Sequence, residues 1–126
     1  MENLKESIPI FLRISEGIKD HILMGDIKEG EKLVSTTQLS KEFGINIATV
    51  NKGINVLVSE GFVYKKRGIG MFVAEGAVDK LIEERRKTFK ERYIVSTLEE
   101  AKRLRYTQED LQNMVEEIYS PDDKNA

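Results

Sequence analysis

The 126-residue sequence contains no cysteine and no tryptophan, only two prolines and no long apolar run. The absence of cysteine excludes disulfide bonds and thiolate metal sites, and it is typical of cytoplasmic proteins. A membrane-spanning helix needs about eighteen consecutive apolar residues, so we expect none. The N-terminus also lacks the basic-then-apolar pattern of a secretory signal. We therefore expect a cytoplasmic protein without membrane contact, whose hydrophobic content of 40% supplies a packed core.

Residues that commonly carry catalysis are equally scarce. His21 is the only histidine, and without a second candidate ligand it predicts neither a metal site nor a catalytic base. The pair Gly68-x-Gly70 follows a predicted strand but opens no helix, so it indicates a hairpin turn instead of a phosphate-binding loop. No motif places a nucleophile beside a base. We expect no enzymatic activity, no cofactor and no metal.

The net charge of −2 is not that of a typical basic DNA-binding protein, but the distribution of charge is more informative than its sum. Residues 46–70 contain four basic residues and one acidic residue, a local excess of three positive charges (4 − 1). Such a local field is enough to attract phosphates. The four basic residues are Lys52, Lys65, Lys66 and Arg67.

The pattern of residues 9–61 predicts three helices, the second of which is short. From Pro9 to Met24, isoleucines recur every four residues, which indicates one apolar stripe. Ser35 and Gln38 have the spacing of a capping box that starts a short helix ending at Gly44.

The third of these helices starts at Asn46, a good N-cap residue. Gly53 lies mid-helix, where it should cost about 1 kcal/mol relative to alanine, so we expect a close crossing with the preceding short helix. The buried stripe of this helix is expected to comprise Val50, Ile54, Leu57 and Val58.

Residues 62–73 have a different pattern, with two groups of strand-forming residues around a basic, glycine-containing turn. The order helix, short helix, turn, helix and basic hairpin predicts a winged helix-turn-helix. We therefore expect an α+β fold that is mostly helical, with three helices and a hairpin wing over residues 1–75.

In such a fold the second helix of the motif enters the major groove, and the N-terminal part of that helix contacts base edges. The hairpin places cations beside a phosphate or in the minor groove. The residues expected to contact double-stranded DNA on these grounds are Asn46, Ala48, Thr49, Asn51, Lys52, Lys66 and Arg67.

A series of short motifs resembles the GntR family of bacterial regulators. They are Pro9-Ile10-Phe11, Gly25-Asp26-Ile27, Gly30-Glu31-Lys32-Leu33, Ala48-Thr49-Val50, Glu60-Gly61-Phe62 and the stretch from Arg67 to Val73. The short C-terminal region is similar to that of the YtrA-like subfamily, whose members use two helices to dimerise. The resemblance implies a homodimeric DNA-binding regulator, usually a repressor, and an operon encoding an ABC transporter as the class of target.

The resemblance also implies further DNA contacts, with two departures. Thr49 and Gly68 match family contact positions. Thr37 stands where relatives have a contacting arginine, and we expect Thr37 and Ser35 to contact DNA as well. Many members have Leu-Pro-Ser-x-Arg before the short helix, where this chain has Val34 and Thr37. Many also have Ser-Arg or Asn-Pro where this chain has Asn46-Ile47. The operator sequence of relatives therefore cannot be transferred, and any effector is unknown.

The C-terminal half predicts two more helices, from Ala77 to about Leu104 and from an N-cap at Thr107. Two helices cannot bury apolar groups on both faces, so we expect residues 76–119 to dimerise and residues 120–126 to form a frayed tail. The residues expected at the dimer surface are Val78, Leu81, Ile82, Phe89, Tyr93, Leu98, Leu111, Val115 and Ile118.

One alternative stays open at this point. The chain could be a winged-helix protein-interaction module that has lost specific DNA reading, since the family arginine is missing at Thr37 and the net charge is acidic. The basic wing and the polar helix face favour DNA binding.

Overall fold

The computed structural model describes residues 8–125. Helices α1 (Ile10–Met24), α2 (Thr36–Phe43) and α3 (Ile47–Ser59) precede strands β1 (Val63–Lys66) and β2 (Gly70–Val73). Helix α4 (Ala77–Phe89), a π-helical segment (Lys90–Ile94), α5 (Val95–Arg103) and α6 (Gln108–Asn125) follow. The chain forms two compact units, Met1–Glu84 and Arg85–Ala126.

The core of the first unit is built from both helices and strands. Ile22, Ile54 and Leu57 of α1 and α3 are at most 1% exposed, and Phe62 and Val73 join them from the wing. Ala77 and Leu81 of α4 also belong to this core. The first unit therefore extends beyond residue 75, because the first turns of α4 complete its apolar interior.

The mid-helix glycine of α3 marks a crossing with α1. A Cβ atom added to Gly53 would lie 2.7 Å from the backbone oxygen of Phe11 and 3.2 Å from Ile14. The Ser15 hydroxyl, which is buried, donates to the Gly53 carbonyl oxygen at 2.6 Å. The prediction of a close crossing is confirmed, but its partner was wrong, since α1 and not α2 approaches this glycine.

The start of α2 forms half of the predicted capping box. The backbone N–H of Gln38 donates to the Ser35 hydroxyl at 3.1 Å. The side-chain amide of Gln38, however, donates to Glu42 at 3.3 Å instead of reaching back. Gly44 ends the helix in the left-handed conformation, with φ of 63°.

The wing is more than a two-stranded hairpin. β1 and β2 pair antiparallel from Val63↔Val73 to Lys66↔Gly70, and Lys32 forms a bridge with Phe72 on the outer side of β2. The N–H of Leu33 donates to Met71 at 2.8 Å, and the N–H of Val73 donates to Glu31 at 2.9 Å. The segment before α2 is thus tied to β2 by an isolated β-bridge and the backbone hydrogen bonds on either side of it.

A carboxylate from the loop after α1 holds the start of α4. Glu29 accepts hydrogen bonds from the backbone N–H groups of Gly76 at 2.9 Å and Val78 at 3.0 Å. Hydrogen bonds to Gly76 and Val78 stabilise the charged form, so they lower the pKa of the Glu29 carboxyl from its ordinary value. The carboxylate satisfies N–H groups at a helix end that otherwise lack partners.

A buried lysine joins three helices of the first unit. Lys19 of α1 is 3% exposed, and its ammonium lies 2.9 Å from Glu60, 3.1 Å from Glu84 and 3.2 Å from Glu16. Burial lowers the pKa of Lys19, but the nearby carboxylates outweigh burial, so the net shift is upward. The charged lysine therefore fixes the end of α3 and the middle of α4 against α1.

The second unit contains the helices α5 and α6 joined by a tight connection. Thr107 caps α6 as predicted, because its hydroxyl accepts from Asp110 N–H at 3.1 Å and its own N–H donates to the Asp110 carboxylate at 2.8 Å. Helix α6 continues to Asn125, whereas the sequence predicted a frayed tail from Ser120. The π-helical turn before α5 was also not predicted.

Candidate nucleic-acid interface

The exposed face of α3 carries the residues expected to contact bases. Val50, Gly53, Ile54 and Leu57 are buried on one side, and Ala48, Asn51, Lys52 and Asn55 are exposed on the other. Thr49 is half-buried at the boundary. Thirteen residues give α3 a length of about 20 Å. An α-helix with its side chains is about 10–12 Å in diameter, which suits insertion into a major groove about 12 Å wide.

Asn46 is committed to its own helix. Its side-chain oxygen accepts a hydrogen bond from the backbone N–H of Ala48 at 2.7 Å. Bidentate recognition of adenine needs both the oxygen and the nitrogen of the amide. In this conformation Asn46 therefore acts as the N-cap of α3, and the cap contact fixes the orientation of its amide group.

Lys52 is exposed, and its ammonium lies 4.2 Å from the centre of the Phe11 ring. A cation over an aromatic ring is attracted by the negative face of the ring. The contact orients the lysine toward α1 while leaving the ammonium accessible, so Lys52 can reach a phosphate or a guanine beside α3.

The N-terminus of α2 supplies two more of the predicted contacts. Ser35 and Thr37 are both exposed. The Ser35 oxygen already accepts from Gln38, so its hydroxyl hydrogen remains available to donate to a phosphate oxygen. These residues lie beside the N–H groups at the N-terminus of α2. The positive end of the helix dipole lies there and favours an anion.

The turn of the wing presents positive charge at its tip. Ile69 N–H donates to the Lys66 carbonyl oxygen at 2.9 Å. Gly68 has a φ of 79°, a backbone conformation that residues other than glycine rarely adopt. Lys66, Arg67 and Gly68 are exposed. The Lys66 ammonium lies 4.7 Å from the Phe72 ring centre, so its stem packs along the wing.

Sequence reasoning missed one cation of the wing. The exposed side chain of Lys32 crosses β2, since a Cβ atom at Gly70 would come within 2.6 Å of its Cε atom. Residues 32 and 70 are far apart in the chain, so no local periodicity could reveal this approach. Lys32 adds a charge beside Lys66 and Arg67, because Lys66 pairs with Gly70.

The described part of the chain carries no competing chemistry. Within residues 8–125 no three residues of the types His, Cys, Asp and Glu are grouped to hold a metal. His21 is engaged with Asp26, with Nδ1 2.8 Å from the carboxylate oxygen. Across the same residues no helix combines the length and apolarity that a membrane crossing requires.

Residues 11–73 match the family described as bacterial regulatory proteins, gntR family. The chain belongs to this family. The matched region includes the helix-turn-helix and the wing, which confirms the resemblance found in the sequence motifs. Its homologues are transcriptional regulators and not enzymes, and some are solved in complex with operator DNA, so the predictions of a DNA-binding regulator and of a protein that is not an enzyme are confirmed at this level.

Two relatives show the range of the family. The transcriptional repressor YtrA of Bacillus subtilis is 33% identical over 87 residues, which cover 69% of this chain and 67% of YtrA. The repressor NagR of the same species is 31% identical over 81 residues, which are 64% of this chain but 33% of NagR. The YtrA match makes this chain a YtrA-like member, whereas it spans about a third of NagR.

Solved structures support the fold. A putative GntR-family regulator from Bacteroides thetaiotaomicron is 30% identical, with a TM-score of 0.65 over 90% of this chain and 99% of that one. AraR(DBD) in complex with operator ORR3 is 34% identical, with a TM-score of 0.51 over 53% of this chain and 81% of that one. The predicted α+β winged-helix fold is thus confirmed.

The predicted dimerisation residues differ in exposure. Leu81 is 0% exposed in the core of the first unit, so it is not available on the protomer surface. Val78 and Leu111 are half-buried. The remaining residues of that prediction are 40–71% exposed and comprise Ile82, Phe89, Tyr93, Leu98, Val115 and Ile118.

Proposed function

We propose that this chain is a transcription regulator, acting as a repressor, that binds a specific double-stranded DNA sequence through α3 and the wing. The observation that carries this proposal is the pair of exposed polar residues Asn51 and Lys52 on α3 beside a cationic wing in a gntR-family chain. Helix α3 would lie in the major groove, and the wing would contact the adjacent backbone.

The electrostatics of the interface support this arrangement despite the net charge of −2. Lys52, Lys66 and Arg67 are exposed, and Lys32 adds a further positive charge to the wing. Contacts of these cations with phosphates release counterions, which supplies affinity without sequence preference. Sequence preference would come from side chains on α3 that reach base edges.

We further propose that the protein works as a homodimer through its C-terminal helices. Phe89, Tyr93, Leu98, Val115 and Ile118 are each at least 43% exposed on one protomer. Burial of large apolar side chains contributes about 1.5–3 kcal/mol each, so association of two copies would offset its entropic cost. A two-fold dimer would present two α3 helices to a palindromic operator with half-sites about one helical turn apart, or a multiple of that.

The test is selection of bound DNA from a random library, followed by titration of the selected sequence. We expect enrichment of a palindrome and an affinity for it at least a thousandfold above that for random DNA, the lower end of the range for specific binders. Equal affinity for selected and random DNA would contradict the proposal and favour a protein-interaction module. Because the chain is YtrA-like, we propose an operon encoding an ABC transporter as its target. Measuring the transcript levels of such operons in a strain that lacks the gene for this protein would test this proposal.

A further inference from the structure

The first turn of α3 presents an apolar tip where polar residues would be expected. Ile47, the first residue of the helix, is 44% exposed. Ala48 beside it is exposed as well. An aliphatic side chain of this size gains free energy when it leaves water, and it occupies the end of the recognition helix that approaches the bases.

The polar residue at this tip is already engaged. The Asn46 side-chain oxygen accepts from Ala48 N–H at 2.7 Å, so the amide is held against the start of α3, and turning it toward an adenine would break this contact. Release of this oxygen would leave an N-terminal N–H of α3 without its partner, at a cost of about 1 kcal/mol. What α3 offers at this point is therefore a methyl-rich surface, formed by Ile47 and Ala48.

The major groove offers one apolar group among the four bases, the C5-methyl group of thymine. We propose that Ile47, supported by Ala48, reads thymine through this methyl group, so that the operator half-site contains thymine opposite the start of α3. This inference rests on the proposed function. Because both surfaces are apolar, the contact needs no hydrogen-bond partner and leaves no polar group unpaired.

The experiment replaces thymine with deoxyuridine, one position at a time, in the operator selected from a random library. Deoxyuridine keeps the base pairing and the O4 acceptor and removes only the methyl group. We expect wild-type affinity to fall about three- to fivefold at one or two thymines of each half-site, the effect of one buried methyl group. All other thymines should tolerate the replacement.

The variant Ile47→Ala tests whether Ile47 is the residue that contacts the thymine methyl group. We expect it to lose the difference between thymine and deoxyuridine at those same positions, and Ile47→Val to keep part of it. The matched control is Ile69→Ala, an isoleucine that is 59% exposed at the wing tip. Because the thymine methyl lies in the major groove, Ile69→Ala should keep the full response to deoxyuridine even if it changes overall affinity.

The outcomes separate this inference from the proposed function. Specific binding with no sensitivity to deoxyuridine at any position would overturn the inference and leave the proposed function intact. A sensitivity that survives in Ile47→Ala would assign the methyl contact to another residue and also overturn it. Failure to select any preferred sequence would overturn both. Thermal unfolding of each variant shows that altered binding does not reflect a loss of fold.

Discussion

At the scale of single residues, the cation at the wing tip is expected to contribute affinity for DNA without contributing sequence preference. Arg67 is exposed at the turn of the wing, where phosphates would approach. Arg67→Ala should weaken binding to specific and random DNA alike and lower the slope of log affinity against log salt by about one unit, because one phosphate contact is lost. Titrations at several salt concentrations measure both effects. Lys102→Ala, an exposed cation of α5, is the control, and an unchanged slope in Arg67→Ala would remove the wing from the mechanism.

Two residues of α3 are expected to carry hydrogen-bonded base reading. Asn51→Ala or Lys52→Ala should reduce discrimination at one operator position by about 1–3 kcal/mol, because a bidentate or charged contact is lost. A panel of single-base operator variants measures it. Asn55→Ala is the matched control, since Asn55 is exposed on the same helix but lies farther from its N-terminus. Retention of the wild-type preference in both variants would place the reading elsewhere.

The carboxylate that caps α4 makes stability depend on pH. Glu29 accepts from Gly76 and Val78 N–H, and its pKa is lowered in the folded state. The contribution of Glu29 to the free energy of unfolding is therefore present above the pKa of about 4.3 that a glutamate has in the unfolded chain. It is lost as the pH falls through the lowered pKa of Glu29 in the folded state. Glu29→Gln should lower the unfolding midpoint temperature at pH 7 and have little effect well below pH 4. Glu99→Gln, an exposed carboxylate of α5, should show no such pattern in the same thermal scans.

At the scale of elements, two glycines that look alike in the sequence have opposite roles. Gly53→Ala would place a Cβ atom 2.7 Å from the Phe11 carbonyl oxygen, and we expect a loss of about 1–3 kcal/mol in the free energy of unfolding. Gly17→Ala in α1 has nothing within 4 Å and should gain about 0.5–1 kcal/mol from helix propensity. Denaturant unfolding compares them. A stabilised Gly53→Ala would show that α1 and α3 are not in close contact.

The elements also show how far sequence reasoning reaches. The caps at Ser35, Asn46 and Thr107 were predictable because each is a contact within three residues. The partner of Gly53 and the bridge from Lys32 to the wing were not, because they depend on contacts between residues about 40 apart in the chain. Periodicity predicts that a face is buried but not against which element.

The π-helical turn corresponds to a spacing of apolar residues that is visible in the sequence. Tyr93 and Leu98 are five residues apart, one more than a straight α-helix needs to place them on one face. In the structure Val95 N–H donates to the Lys90 carbonyl, a bond across five residues. A π-helical turn holds more residues than an α-helical turn, which is compatible with the five-residue spacing of Tyr93 and Leu98.

For the whole molecule, the proposed dimer predicts which part of the chain gives operator affinity. A chain ending after Glu84 keeps Ala77 and Leu81 and hence its core. An end at residue 75 would remove both and expose the apolar interior. We expect the chain ending at Glu84 to fold, to sediment as a monomer and to lose most affinity for a two-half-site operator. A 126-residue chain that is monomeric at micromolar concentration, and still binds its operator as one copy, would contradict the dimer.

The backbone hydrogen bonds between residues 30–33 and β2 have a consequence for the entropy of binding. A two-stranded hairpin is marginal in water, whereas the wing is bonded along β2 by residues 30–33. Its backbone is thus ordered before any ligand arrives, and little conformational freedom remains to be lost on association. Because the same residues lead directly into α2, the amides of Gly30, Leu33 and Val73 should exchange with solvent at similar slow rates. The wing and the helix-turn-helix would then open as one cooperative unit.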